Sequence, residues 1–576
     1  MKEQKRTSDL PLYLLAGAIG VAAVSCAIVG ISVDIAAHLS GLPAPSGTVF
    51  TVGAKVIAHQ FDLASVGPST TGRPISSAWL WFSMTVLALV PATTAVFLRR
   101  RLRRHHERSV RTSDGFATRT AVVETVGRRA AHYRDNKPDP NDGAKTLLGL
   151  DLGTDRLSKE RMVARAEDSV IVASSSRGGK TSTFVIPNVF LWKGSGIVTS
   201  TRPELYNLTA GAHSSVGLFD PTGFVPDATT LQWNPIASST APLQAILRAR
   251  SFIFGSGTGK GVSGGEYFGG RSATLLRCMF HAAAVAGLNI DTVIQWLCDP
   301  DNRDPLDILA ASQIAPLWSS DLRGIQKTPI RERASTYNGA LLALDAFADP
   351  RVLDACCPPK GQSFDMEAAI NAGTMVYLCA DNQTNQAIGS VIAAFAEAWV
   401  NTARTMAVSH GGRLTLPTAL FLDEAAQIAP LPTLPEIVSD GGGSGIMSVV
   451  VLQSMDHARA RWGVLGAEKM WNASSVKVIL GGGTDPNELE DISRLCGEID
   501  VDAKSETHGI GGAAHTRTRQ RRRVIEPAAI RALPEGEALV LYRRLAPVQT
   551  LLRPWWDRKM GKRIKALQNA ETGETA

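Results

Sequence analysis

Apolar residues in this 576-residue chain fall into contrasting patterns. From residue 169 onward, short unbroken apolar runs alternate with stretches of helical spacing. The runs are Ser169–Ala173, Gly196–Thr199, Val216–Phe219, Met375–Cys379, Ala419–Leu422, Met447–Leu452, Val476–Leu480 and Ala538–Tyr542. A strand buried on both faces reads as a continuous run, whereas a half-exposed strand alternates, so these runs predict a mostly parallel, doubly wound α/β sheet. Between about 264 and 370 the runs stop. Ser272–Ala286, Ile290–Leu297, Pro305–Ser312 and Ser335–Asp349 instead carry apolar residues at helix spacing, which predicts an all-helical domain inserted between two strands.

The N-terminal pattern is different again. Pro11–Val33 and Ile75–Leu98 contain no charged residue, and each is long enough to cross a bilayer, which takes about 20 apolar residues. Lys2, Lys5 and Arg6 precede the first run; Arg99, Arg100, Arg101, Arg103 and Arg104 follow the second. By the positive-inside rule, two transmembrane helices place both ends in the cytoplasm and 34–74 outside, which predicts a multi-pass protein of the cytoplasmic (inner) membrane. The arginine cluster is read as this topology signal. The predicted organisation is an anchor over 1–110, with spans at about 11–33 and 75–98, and a polar linker over 111–150. A nucleotide-binding domain follows in two parts, 151–263 and 371–557, flanking the all-α domain at 264–370. A charged tail at 558–576 reads as a helix that frays.

Composition adds little to this picture. A net charge of +7 points weakly to an anionic partner such as nucleic acid or a membrane surface. The seven cysteines form no CxxC pair and no zinc-like spacing, so reduced thiols are expected, with Cys356 and Cys357 as small core residues.

The chemistry starts at Ser174-Ser175-Ser176-Arg177-Gly178-Gly179-Lys180-Thr181, between the run Ser169–Ala173 and the segment Ser182–Leu191. A strand, a small-residue turn ending in Gly-Lys-Thr, and a helix form a phosphate cradle (P-loop), with backbone N–H groups and Lys180 facing a polyphosphate and Thr181 facing Mg²⁺. Ser174 stands where the motif asks for glycine. Pro187 is expected to shorten or kink the following helix. Downstream, Ala419–Leu422 runs into Asp423-Glu424; Asp423 would orient the water shell of the metal and Glu424 would act as base toward the attacking water. Gln453 ends the run Met447–Leu452 and reads equally as a phosphate or water contact and as a strand-capping amide.

From these segments a resemblance emerges. Leu422–Ala425, Gly445–Ser454 and Ile479–Asp485 are similar to the TraG/TraD-type coupling proteins of type IV secretion and conjugation. Val185–Asn188, Glu204–Gly211, Phe219–Pro221, Trp233–Pro235 and Leu533–Ala538 fit the same family in consistent order across most of 115–545. The resemblance implies a membrane-anchored ATPase using ATP and Mg²⁺, forming a homo-hexamer. Its partners would be single-stranded DNA with a bound relaxase and the components of a type IV secretion channel. Lys180, Thr181, Asp423, Glu424 and Gln453 take the family's nucleotide roles. Two departures fall on this machinery: Ser174, and Ser439–Gly445, where relatives carry a Gly-Arg-Gly-Arg-Gly stretch that supplies an arginine in trans. Arg459, Arg461 and Arg494 are candidate substitutes. Arg202 takes the place of a lysine.

The stretch Arg517, Arg519, Arg521, Arg522, Arg523 after Gly509-Ile510-Gly511-Gly512 reads as a flexible basic loop. It suits either a phosphate contact along nucleic acid or an ordinary solvated surface. Rival readings of the whole are an FtsK-like DNA pump or type VII secretion ATPase, and a nucleotide-binding receptor with little turnover.

Overall fold

The computed structural model describes residues 26–58, 77–85, 115–127, 149–175, 177–257, 265–381, 385–509 and 512–572. The chain divides into two compact units, 1–113 and 114–576.

The first unit is helical where described, over 26–39, Val49–Ala58 and 77–85. Val29, Val33, Ala36, Val52, Val56 and Leu80 are buried together. A Cβ at Gly30 would lie 1.9 Å from the Val49 carbonyl oxygen, and one at Gly53 would lie 1.8 Å from that of Cys26. The first two helices therefore touch backbone to backbone, an approach that only glycine permits. The helix Val49–Ala58 falls inside the segment expected to be an external loop. Most of both expected spans lies outside the described residues, and among the described residues no helix is long and apolar enough to cross a membrane.

The second unit is built on an eleven-stranded sheet. In chain order its strands are β1 (Gly149–Asp155), β2 (Arg161–Arg165), β3 (Val170–Ala173), β4 (Ser195–Ser200), β5 (Val216–Phe219), β6 (Met375–Cys379), β7 (Thr418–Leu422), β8 (Ile446–Leu452) and β9 (Val476–Leu480). A separate hairpin, β10 (Glu498–Gly509) and β11 (Gly512–Arg523), precedes the last two sheet strands, β12 (Glu537–Tyr542) and β13 (Val548–Leu551). The spatial order is β2-β1-β13-β12-β9-β3-β8-β7-β4-β6-β5. From β9 to β5 every pairing is parallel, as the unbroken apolar runs require. β4, β6, β7 and β8 are buried at every residue.

The four strands at the other edge are antiparallel, a feature the run pattern did not announce. β1 carries two glycines and polar residues, and β13 alternates buried and half-buried positions, so neither forms a run. Between β5 and β6 the described chain is helical, from Pro242–Ser256 and Gly265–Val285 to Met366–Asn371. Its core meets the sheet at Trp233, which packs edge-on against Phe219 of β5 and against Phe395 of the helix Asn385–Ser409, while Phe219 and Phe395 stack; the ring centroids are 4.9 to 6.2 Å apart.

The basic stretch is not a loop. Residues 517–523 belong to β11, which pairs residue for residue with β10 and sets Arg519 opposite Asp502, Arg521 opposite Asp500 and Arg523 opposite Glu498. Alternating polar residues across two strands satisfy each other's backbone, so a hairpin forms without any apolar run. The charged C-terminal segment is a helix over Lys559–Thr572, and it does not simply fray: Ile564 is fully buried in the core cluster that also holds Phe190 and Leu205. All seven cysteines are free, and Cys356 is buried.

Candidate nucleotide site

Strand order brings the chemistry together. β8 lies between β3 and β7 and runs parallel to both, so the turn after β3, the acids after β7 and the amide after β8 emerge side by side at the carboxyl edge of the sheet.

The turn holds its shape with a serine in first place. The Ser174 N–H donates to the Leu452 carbonyl at the end of β8, at 3.1 Å. Positive φ falls instead on Arg177 (62°) and Gly179 (77°), so Ser174 carries no left-handed strain. Its Oγ donates to the Ser175 carbonyl at 3.2 Å and sits 2.3 Å from where a Cβ of Gly178 would be. The serine hydroxyl thus fills space that Gly178 leaves open. Ser176 lies outside the described residues. Lys180 is buried and begins the helix.

That helix is wound unusually. Thr181–Val185 forms a wide π-turn, with the Ile186 N–H donating to the Thr181 carbonyl, before an ordinary helix over Ile186–Leu191. Pro187 is the local cause: it has no N–H for the Thr183 carbonyl, which an α-helix would have paired with residue 187.

Thr181 Oγ1 donates to Asp423 Oδ2 at 3.0 Å. The other oxygen, Asp423 Oδ1, is buried and takes no hydrogen bond among the described residues. Burial pushes the Asp423 carboxyl up to about 6, against the opposing pull of Lys180 and the Thr181 hydrogen bond. A hydroxyl and a carboxylate touching, with an acceptor oxygen left over beside a buried lysine, suit a hydrated divalent cation. Glu424 sits in the left-handed region at φ 54°, a strained conformation for a residue with a side chain. Its carboxylate is held by Gln453 Nε2 at 2.9 Å and, more loosely, by Thr201 Oγ1 at 3.4 Å. Gln453 therefore orients the neighbouring carboxylate, a role the sequence left open. Thr201, and Thr199, which donates to the Asp423 carbonyl at 3.0 Å, were not singled out from sequence. The available signal was polar residues at the tip of a buried strand, from which only Arg202 was taken.

On the opposite side of the turn, toward β9 and β12, a cavity of about 310 Å³ opens between Ser175, Gly178, Leu480, Leu533 and Pro534. Gly482 passes so close that a Cβ there would lie 2.6 Å from Ser175 Oγ. Glu535, from the segment that resembles the family near the C-terminus, also lines this cavity.

The three candidate arginines have other partners. Arg461 donates to the Phe254 and Gly255 carbonyls at 3.2 and 2.6 Å, closing the helix Pro242–Ser256. Arg459 pairs with Asp456 at 2.7 Å and Arg494 with Glu490 at 3.1 Å. Gly442, in the glycine stretch, has no room for a side chain: a Cβ would lie 2.0 Å from the Glu167 carbonyl oxygen.

Residues 134–277 match a family model described as type IV secretory system conjugative DNA transfer, and 417–535 match the TraM recognition site of TraD and TraG. The conjugal transfer protein TraG of Agrobacterium fabrum is 20% identical over 589 residues, covering 93% of this chain and 87% of that protein. A probable conjugal transfer protein TraG of Sinorhizobium fredii is 22% identical, and the chain spans 62% of its length. VirD4 of Rhizobium rhizogenes is 21% identical, with 61% of its length spanned. Among solved structures, the bacterial conjugative coupling protein TrwBdeltaN70 superposes over 74% of this chain and 92% of its own, with TM-score 0.53 and 18% identity. TrwB has also been solved with the ATP analogue ADPNP and with ADP and Mg²⁺, each superposing at TM-score 0.52. At these identities the solved structures establish the fold, which is that of the TrwB core. The two matched segments contain the turn at 174–181 and the acids at 423–424, so the resemblance to TraG/TraD-type proteins read from the sequence is borne out.

Proposed function

We propose that this TraG-type coupling protein binds ATP and Mg²⁺ at the turn 174–181 and couples ATP turnover to conjugative DNA transfer through a type IV secretion channel. The observation that carries the reading is the contact between Thr181 and Asp423, with the Glu424–Gln453 pair beside it. Ser174 to Thr181 cradle the phosphates and Lys180 neutralises them. Thr181 and Asp423 would hold a hydrated Mg²⁺, which would supply stabilisation of charge on the phosphates. Glu424, oriented by Gln453 and Thr201, accepts the proton of the attacking water. The cavity by Leu480 and Leu533 opens against the turn on the β9 side, away from the acids after β7, and is the space this reading assigns to the nucleoside. Two membrane spans at about 11–33 and 75–98, both termini in the cytoplasm, the domain boundaries at 110, 150, 263, 370 and 557, and a homo-hexamer recruiting single-stranded DNA with its relaxase belong to the same proposal.

The Gly442–Glu167 contact favours a second reading, a receptor that binds ATP with little turnover, because that position cannot carry a trans-acting arginine. ATPase rate with and without single-stranded DNA separates the two. DNA-stimulated turnover that disappears in Lys180→Ala supports a motor; tight ATP binding without stimulated turnover supports a receptor. Equal ATP binding by the parent and Lys180→Ala overturns the site itself.

A further inference from the structure

The π-turn behind the phosphate cradle leaves a carbonyl that the helix cannot pair in the ordinary α manner, and the far end of the chain reaches back to it. Pro187 provides no N–H, and the Thr183 carbonyl instead accepts from Arg558 Nη2 at 2.9 Å. The rest of that guanidinium is also engaged: Nη1 donates to Asp151 Oδ2 at 2.6 Å, and Nε to the Arg553 carbonyl at 2.6 Å. The Arg558 side chain is 13% exposed and that of Asp151 is 7% exposed, so this is a largely desolvated contact. Asp151 is itself tied to the same helix, since its N–H donates to Asn188 Oδ1 at 2.6 Å and its carbonyl accepts from Asn188 Nδ2 at 3.1 Å. Just beyond Arg558, the helix Lys559–Thr572 buries Ile564 and lays Arg563 over the Phe190 ring at 5.7 Å.

We infer that Arg558 is a positioning residue for nucleotide binding, supplying from the C-terminal segment the donor that Pro187 removes and so fixing the turn that presents Lys180 and Thr181. The inference rests on the nucleotide reading of that turn. Thr183 lies two residues after Thr181, and its own hydroxyl and N–H bond back to the Gly179 carbonyl at 2.8 and 2.9 Å. Displacement of the Thr183 carbonyl is therefore passed directly to the cradle. A hydrogen bond from a charged donor is worth enough to change affinity about tenfold.

The test is binding of a fluorescent non-hydrolysable ATP analogue with Mg²⁺ to the full chain. Arg558→Ala should bind about tenfold more weakly than the parent. Pro187→Ala restores a backbone N–H opposite Thr183, so Pro187→Ala combined with Arg558→Ala should recover to within about threefold of the parent. A role limited to docking the C-terminal helix would not be rescued by a change at 187. Unchanged binding in Arg558→Ala, or a loss that Pro187→Ala fails to reverse, overturns the inference. If Arg558→Ala does not melt cooperatively, Arg558→Lys, whose single ammonium cannot span the three acceptors that the guanidinium reaches, carries the same comparison with the same two outcomes. A parent that binds no better than Lys180→Ala removes the nucleotide reading instead, and is distinguished by that control.

Discussion

The Thr181 hydroxyl donates to Asp423 Oδ2 at 3.0 Å, across 242 positions of sequence. This one contact joins the turn after β3 to the acids after β7, and Asp423 Oδ1 beside it, which takes no hydrogen bond among the described residues, offers an acceptor to the proposed cation. Asp423→Asn keeps the shape and removes the charge. It should weaken Mg²⁺-dependent ATP binding about tenfold or more, the scale of a lost charged hydrogen bond, read by titrating Mg²⁺ against a fluorescent ATP analogue.

Glu424 is expected to matter for turnover and little for binding. Glu424→Gln should lower ATPase turnover about 10²-fold or more while analogue affinity stays near the parent's. Gln453→Ala frees one side of the same carboxylate and should give a smaller loss of the same kind, seen as a fall in kcat at nearly constant KM.

The compensated serine gives a double-mutant cycle. Gly178→Ala drives a methyl toward Ser174 Oγ, only 2.3 Å from the ideal Cβ position, and should cost about 1–3 kcal/mol by overpacking. Ser174→Gly in the same chain removes that oxygen and should return part of the loss. Denaturant melts of the two single variants and the double variant measure the coupling, and strict additivity would contradict the fit between these residues.

Within the glycine stretch two neighbours behave differently. A Cβ at Gly442 meets the backbone of Glu167 at 2.0 Å, whereas one at Gly443 meets nothing within 4 Å. Gly442→Ala should therefore lower the melting temperature clearly and Gly443→Ala hardly at all.

Lys477 supplies a pH signature. Burial pushes its ammonium down to about 8 from the ordinary 10.5, while its Nζ donates to the Ser474 carbonyl at 3.0 Å. Between these values the unfolded chain binds more protons than the folded one, so this residue makes stability rise as pH climbs from about 8 to 10.5. Thermal melts across that range should show the rise in the parent and its absence in Lys477→Met.

The sequence by itself determined the parallel half of the sheet, because strands buried on both faces must be written as unbroken apolar runs, and β5, β6 and β9 match their runs residue for residue. It also singled out, as one candidate nucleotide site, the Gly-Gly-Lys-Thr turn after one strand and the paired acids Asp423-Glu424 after another, which the sheet then brings together. Tertiary structure decided the rest. The antiparallel edge β12-β13-β1-β2 and the hairpin β10–β11 rest on pairing with distant chain: β12 was legible as an apolar run, but a run does not show that it pairs antiparallel with β9, and the polar or glycine-bearing β1, β10, β11 and β13 give no local sign at all. Whether Ser174 would harm the turn depended on the space at Gly178, and whether 442 could hold an arginine depended on where Glu167 passes. Gln453 became a ligand of Glu424, and Arg461 a helix cap, only once the strands and helices were laid side by side. In each case a side chain's role is set by the neighbour that folding brings within about 3 Å, and that neighbour is far away in the chain.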